Sequence, residues 1–221
     1  MEQIKRTYLP AAGRNWALPL YDPLVKALGG DSARKSLIDQ ADPQPGHRIL
    51  DIGCGTGTLA TLIKRLHPGV DVVGLDPDPK ALARARKKAG RTGVSIQLDQ
   101  GYSDELPYPD ASFDRVFSSF MFHHLQAEDR EKTLREVRRV LKDGGSFHML
   151  DFARKEAHNA GGFARWLHSS DRMKENTDTR ILTLIRQAGF SDSFRVKEGT
   201  IFFGRLHTAY YQASKPGANR I

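Results

Sequence analysis

An α/β fold built on a mostly parallel sheet is what this chain predicts, and three observations predict it. Strand-like and helix-like segments alternate along most of its length. The run Ile49-Leu-Asp-Ile-Gly-Cys-Gly-Thr-Gly57 reads as a buried strand that breaks into a glycine turn and then a helix. A neighbouring strand, Val72-Val-Gly-Leu-Asp76, ends in an acid. Such alternation implies βαβ units with right-handed crossovers.

Taken in order, residues 1–20 have no clear periodicity and contain Pro10, Gly13 and Pro19, so they read as an irregular arm. Tyr21–Gln40 reads as two short helices broken at Gly29-Gly30, with Asp31 or Ser32 as N-cap. Pro43, Pro45 and Gly46 mark a linker. Strands are expected at His47–Ile52, Asp71–Leu75, Val94–Leu98, Phe113–Ser118 and Ser146–Leu150. Helices are expected at Thr58–Leu66, Pro79–Gly90, Ala127–Leu141 and Thr177–Ala188, the last stopped by Gly189. Two closing strands, Asp192–Lys197 and Thr200–Tyr210, are spaced to pair as an antiparallel hairpin on the sheet edge. The tail from Lys215 reads as loose. This divides the chain into an arm (1–41) forming a lid, a main domain (42–214) and a tail (215–221).

The bulk numbers fit this picture. With 221 residues, 39% hydrophobic and 27% charged, the chain is long enough for one α/β domain with a substantial core. No stretch is apolar enough to span a bilayer, and the start lacks the uninterrupted apolar run of a secretion signal. Cys54 is the single cysteine, so no intrachain disulfide forms, and a reducing cytoplasm is the expected setting. The net charge of +8 raises an acidic partner such as nucleic acid. The most basic block, Lys80 to Arg91, lacks interleaved aromatics, however, and Ala81, Leu82, Ala85 and Ala89 supply a buried stripe. A solvated helix face is the favoured reading. The chain is expected to be a monomer or homodimer.

The glycine turn and the acid at Asp76 together describe a site for an adenosine-containing cofactor. Unpaired amides start a helix there, and the acid suits a ribose diol. A dinucleotide turn wants G-x-G-x-x-G, whereas here the third glycine, Gly57, arrives one residue early. No Walker lysine follows, which disfavours a triphosphate.

At these residues the chain resembles the class I S-adenosylmethionine-dependent methyltransferases, in particular their ubiquinone/menaquinone-type branch. ILDIGCGTG looks like their first motif and VVGLDPDP their second. LPYPDASFDRVFSSFMFHHL is similar to the segment around their fourth strand, LKDGGSFHML to the turn into their fifth, and LIRQAGF to the helix before the terminal hairpin. The resemblance covers about Asp42 to Ala213. It implies a Rossmann-like three-layer sandwich, with a seven-stranded, mostly parallel sheet and one antiparallel edge strand. It implies S-adenosyl-L-methionine as cofactor. Gly53, Gly55 and Gly57, with Cys54 in the same turn, would line the methionine part. Asp51 would organise that turn. Asp76, followed by Pro77, would accept bonds from both ribose hydroxyls. Ser118 would offer a backbone carbonyl to the methionine amino group, and Tyr21 is a candidate contact to its carboxylate. In one place the pattern departs. Relatives read G-D-A where this chain has Gly101-Tyr102-Ser103, so Tyr102 stacks or donates where they bond adenine with an acid. Adenine recognition then falls to backbone near Ser103, or to Asp104.

Methyl transfer from a sulfonium asks the protein mainly for alignment and a dry pocket. His123 and His124 follow the fourth strand, where a general base would face the methyl group, and His123 is the first candidate. The alternative is that the pair starts or caps a helical segment. No third ligand has zinc-site spacing beside them, so no metal is expected. Cys54 reads as a small buried residue rather than a nucleophile. Ser118-Ser-Phe-Met-Phe122 replaces the Asn- or Asp-Pro-Pro-aromatic string of enzymes that methylate base amines. Tyr8, Trp16, Tyr21, Phe120, Met121, Phe122, Phe152, Phe163 and Trp166 could build an apolar lid, and Arg154, Lys155 and Arg165 could attract an anionic acceptor. The expected acceptor is a small apolar or aromatic molecule. The alternatives are an RNA or protein substrate and a non-catalytic cofactor-binding module.

Overall fold

The computed structural model describes residues 30–153, 177–201, 204 and 206–217. A seven-stranded sheet runs in the order β3-β2-β1-β4-β5-β7-β6. Its strands are β1 (Arg48–Ile52), β2 (Asp71–Asp76), β3 (Gln97–Gln100), β4 (Phe113–Ser119), β5 (Leu141–Phe152), β6 (Ser191–Ile201) and β7 (Leu206–Ser214). The first five pair in parallel. The expected hairpin occupies the edge, and its inner member β7 carries the reversal, running antiparallel to both β5 and β6. The helices are α1 (Gly30–Ala41), α2 (Thr58–Leu66), α3 (Pro79–Thr92), α4 (Ala127–Val140) and α5 (Asp178–Gln187). None of them is long and apolar enough to cross a membrane.

Alternation along the central strand explains the three layers. Ile49 packs on one face, with Leu37 and Ile38 of α1 and Leu59 and Ile63 of α2. Leu50 and Ile52 pack on the other, with Leu134 and Val137 of α4 and Ile181 and Ile185 of α5. Both faces of a parallel strand are thus covered, which is why these strands read as continuous apolar runs. Each such side chain, fully buried, contributes about 1.5–3 kcal/mol. Helix α3 begins as its sequence dictates. Asp78 caps it by accepting from the Lys80 amide at 2.8 Å, and Pro79 opens the first turn.

Several boundaries differ from expectation, each for a local reason. Helix α1 already includes Gly30 and has Asp31 inside its first turn, so neither Asp31 nor Ser32 is its cap. Strand β3 starts at Gln97 rather than Val94, because Gly93 ends α3 in the left-handed region and the Val94 amide returns to the Ala89 carbonyl. Strand β5 starts at Leu141, which pairs with Phe113 across an irregularity in the β4–β5 register. Strand β6 runs to Ile201, so Thr200 lies within β6 instead of starting β7. Lys215 is held, not loose. Its amide donates to Gly145 O at 2.9 Å, and its ammonium donates to Leu141 O at 2.7 Å.

His148 sits inside this packing at the centre of β5. Its Nδ1 accepts from the Gln40 amide nitrogen at 3.2 Å, its Nε2 donates to Ser146 Oγ at 2.8 Å, and its ring stacks on Phe117. Burial, aided by the charge of Arg115, pushes its pKa down to about 3. Below pH 6.5 the unfolded chain therefore binds a proton that the folded chain refuses until about pH 3. Stability is lost with acid across that window, at up to about 1.4 kcal/mol per pH unit from this group. Urea unfolding of His148→Gln should show a shallower acid limb than the parent between pH 6 and 4. A parallel slope in the two proteins would remove His148 as the cause.

Candidate functional site

The C-terminal ends of β1, β2, β4 and β5 converge on one edge of the sheet, where open α/β sheets hold their ligands. The glycine turn leaves β1 after Ile52. Gly53 has φ +64°, and a Cβ there would stand 2.2 Å from Met121 Cγ. Gly57 has φ +72°, and its Cβ would meet Ala85 Cβ of α3 at 2.8 Å. These two positions need glycine both for backbone sign and for the close approach of what packs on them. Gly57 leads directly into α2 and has no side chain of its own to cap it, while the Asp51 carboxylate accepts from the Ala60 amide in the first turn.

Asp76 closes the turn from the side. Its Oδ2 accepts from the Gly55 amide at 2.8 Å, and its Oδ1 from the Asp78 amide at 2.9 Å. Burial raises its pKa to about 6 against the pull of those amides. Asp51 lies beneath the turn, 1% exposed, with its Oδ2 unpaired among the described residues. Burial pushes its pKa up to about 7, opposed by the Arg34 charge and the Ala60 amide. Cys54 is buried, its sulfur packs where Gly74 lacks a side chain, and burial pushes the thiol pKa well up. That is a packing role; a nucleophile needs the thiolate.

Beside the turn lies an open recess lined by Asp51, Gly53, Cys54 and Gly55 together with Arg34, Thr56, Thr58, Leu59, Ser119 and Phe120. Arg34 carries no mark in the sequence. It is 7% exposed, comes from α1, and lies over the Phe120 ring at 5.5 Å. A basic residue in a helix remote in sequence gives no local signal for this placement. Phe120 itself is a buried non-glycine residue at φ +55°, placed by its amide bond to Leu150 O at 2.8 Å. Ser118, fully buried, pairs with Ile52 in the sheet, and its hydroxyl is unpaired among the described residues.

His123 lies in a single 3-10 turn, Phe122–His124, past β4. Its Nδ1 is 2.6 Å from Asp151 Oδ1, and its amide donates to Asp151 Oδ2 at 2.8 Å. Asp151, one residue before the end of β5, is fully buried and also accepts from the Phe152 amide at 2.7 Å. Burial pushes the Asp151 pKa up, but the His123 imidazole and the two amides outweigh it and hold it below the usual carboxylate value. Asp151 is the second site residue that the sequence does not single out. A lone acid at a strand end is its only signal there. The ring of Phe152 meets His123 edge-on at 5.0 Å and Phe120 at 5.0 Å.

The adenine end is less gathered. Tyr102 bridges to Glu105, and Ser103 Oγ is 2.9 Å from Thr133 Oγ1 of α4, so neither lines the recess. Asp99 accepts from the Tyr108 hydroxyl at 2.9 Å, which gives it a structural partner. Pro77 follows Asp76 directly and is half-buried. Tyr21, with Tyr8, Trp16, Phe163, Trp166, Arg154, Lys155 and Arg165, lies outside the described residues. Among the described residues, no three His, Cys, Asp or Glu side chains gather to hold a metal ion.

Residues 49–145 match a family model described as a methyltransferase domain. The chain is 40% identical over 137 residues to the demethylmenaquinone methyltransferase of Thermus thermophilus, covering 61% of this chain and 61% of that protein. It thus spans less than two thirds of that relative's length. It is 30% identical over 186 residues to an uncharacterized methyltransferase of Synechocystis sp., covering 80% of this chain and 82% of that one. In structure it is similar to phosphoethanolamine N-methyltransferase 2 of Haemonchus contortus, solved with phosphomonomethylethanolamine and S-adenosylhomocysteine. There the TM-score is 0.72 at 18% identity, over 86% of this chain and 53% of that chain, a likeness of fold.

The packing of the turn is open to test. Gly57→Ala combines left-handed strain of about 1–2 kcal/mol with a clash against α3. Gly55→Ala meets no atom within 4 Å and carries the strain alone. Urea midpoints should rank Gly57→Ala clearly below Gly55→Ala, and the reverse order would contradict the packing described.

Proposed function

The chain belongs to the methyltransferase family, and from that premise we propose that it transfers a methyl group from S-adenosylmethionine to a small apolar or aromatic acceptor. The observation that carries the cofactor reading is the charge pair lining one recess, Arg34 and Asp51. A zwitterionic amino acid needs one group of each sign, and a guanidinium suits its carboxylate. The unpaired Asp51 Oδ2 and the open space above Gly55 support the same fit.

When bound, the cofactor's sulfonium supplies the methyl electrophile for an in-line displacement. The protein's residues do the rest. Arg34 holds the carboxylate end. Asp51 and the Ser118 carbonyl take the ammonium side. Asp76 accepts the ribose hydroxyls; its two oxygens each keep a lone pair beyond the amides of Gly55 and Asp78. Phe120 and Phe152 exclude water on the side of His123, which stands as the base for an acceptor that must lose a proton.

The acceptor class rests on the aromatic wall beside His123, and the demethylmenaquinone methyltransferase named among the relatives is consistent with it. The basic helix α3 buries Ala81, Leu82, Ala85 and Ala89, as expected for a solvated charged face, so it adds nothing in favour of RNA. We propose a soluble protein, monomeric or homodimeric, acting in the cytoplasm.

Calorimetry with S-adenosylmethionine tests the cofactor. Each charge-assisted bond lost is about 1.5–3 kcal/mol, so Asp76→Ala should weaken binding about 100-fold or more. Arg34→Ala should weaken it as well. Asp76 and Asp51 are ionised above pH values of about 6 and 7. Affinity should therefore fall as pH is lowered from 8 through 6, and the parent's pH dependence should be blunted in Asp76→Asn. Equal affinity in Asp76→Ala and the parent would overturn the assignment.

A further inference from the structure

One side of α4 presents a polar side chain at every third position to the loop between β3 and β4. Thr133 is fully buried, and its Oγ1 is 2.9 Å from Ser103 Oγ. Glu136 Oε2 accepts from the Leu106 amide at 2.8 Å. Arg139 donates from Nη2 to the Leu106 carbonyl at 3.0 Å and from Nη1 to the Tyr108 carbonyl at 2.8 Å. Glu136 and Arg139 also hold each other in a two-bond fork, at 2.7 and 2.8 Å. The N–H and the C=O of Leu106 are thus both fixed from one helix, and the side chains of Leu106 and Tyr108 are buried in the core. At its start the loop meets the end of β2. The Gly101 amide donates to the Asp76 carbonyl at 3.3 Å, and Gln100 Nε2 donates to the Pro77 carbonyl at 3.2 Å. A nucleoside whose ribose lies on Asp76 therefore carries its base toward residues 101–104.

The reading of that base differs here because Tyr102 stands where an acid could accept its amino group. A phenol hydroxyl both donates and accepts, so it does not tell an amino group from an oxo group. A main-chain carbonyl only accepts and an amide only donates, so a main-chain contact does tell them apart, provided that the peptide is kept from turning over. We propose, on the cofactor reading above, that Thr133, Glu136 and Arg139 are positioning residues: they hold the 101–108 loop so that its main chain selects an adenine base over the 6-oxo counterpart. All three act through the loop rather than on the base. Arginine suits position 139 because one planar fork serves Glu136 and two carbonyls at once, which the single ammonium of lysine does not reproduce.

Calorimetry on the full chain reads the selection, with S-adenosylhomocysteine set against S-inosylhomocysteine, which carries an oxo group in place of the 6-amino group. The parent should prefer the adenine form by about tenfold or more, the worth of a directed hydrogen bond against a mismatched one. Glu136→Ala and Arg139→Lys should bring the two affinities to within about twofold of each other. Thr133→Val should weaken the preference, and Thr133→Ser, which retains the hydroxyl, should keep it. Arg135→Ala is the control: Arg135 pairs with Glu131 at 2.7 Å on the exposed side of the same helix, and the ratio should stay at the parent's value. A general loss of stability lowers both affinities together and leaves their ratio alone. Equal affinities in the parent, or a parent-like ratio in Glu136→Ala, Arg139→Lys and Thr133→Val, would overturn the proposal. Loss of the preference in Asp104→Ala would place the reading on that side chain and overturn it too. If Glu136→Ala does not fold, Arg139→Lys and Thr133→Val decide. Should neither compound bind the parent, the cofactor reading fails and this inference with it. Binding of both, at a ratio the α4 substitutions leave unchanged, removes the inference alone.

Discussion

The two oxygens of Asp76 tie three parts of the chain to one carboxylate. One takes the amide of Gly55 in the turn after β1, and the other takes Asp78, the cap of α3. A strand tip, a glycine turn and a helix start are thereby held to one carboxylate. Its cost is partial desolvation of a charge, visible in a pKa raised to about 6. A site that later receives hydroxyl donors at that carboxylate finds its geometry already set, which lowers the entropy lost on binding.

The buried charges on this edge fall into two kinds. Asp51 and Asp76 are pushed toward protonation by burial, with Arg34 supplying partial relief at Asp51. Asp151 is equally buried yet pulled the other way, because three donors surround it. The first kind would gain from a cationic or hydroxyl-bearing ligand; the second already has its oxygens taken by the His123 ring and two amides. Environment, not residue type, separates the roles of three aspartates within one sheet edge.

Much of this is legible in the chain, and the reasons are physical. The strand, the glycine turn, α2 and Asp76 are close in sequence, so period and turn chemistry reveal them together. The bounds of α2 match expectation, and those of β1 do so within one residue. His123 stands out because it follows a strand end. Arg34 and Asp151 do not, since their importance arises only when α1 and β5 are brought against the turn and against His123. The start of β3 is hidden because a cap at Gly93 consumes the next residues, a competition that strand propensity does not register. Lys215 reads as loose tail because its bonds to Leu141 and Gly145 are long-range.

Gly53 and Met121 touch across the site: any side chain at the first would occupy the space of the second. Met121 immediately precedes the turn that bears His123, so the glycine turn after β1 and the loop after β4 share a packing boundary. This has an evolutionary consequence. A lineage that reshapes residues 120–124 to accept a new substrate must do so without crowding position 53. An unbranched, pliable side chain at 121 is the kind that tolerates such drift. The loop after β4 can then vary while the glycine turn stays still, and that asymmetry is built into one van der Waals contact.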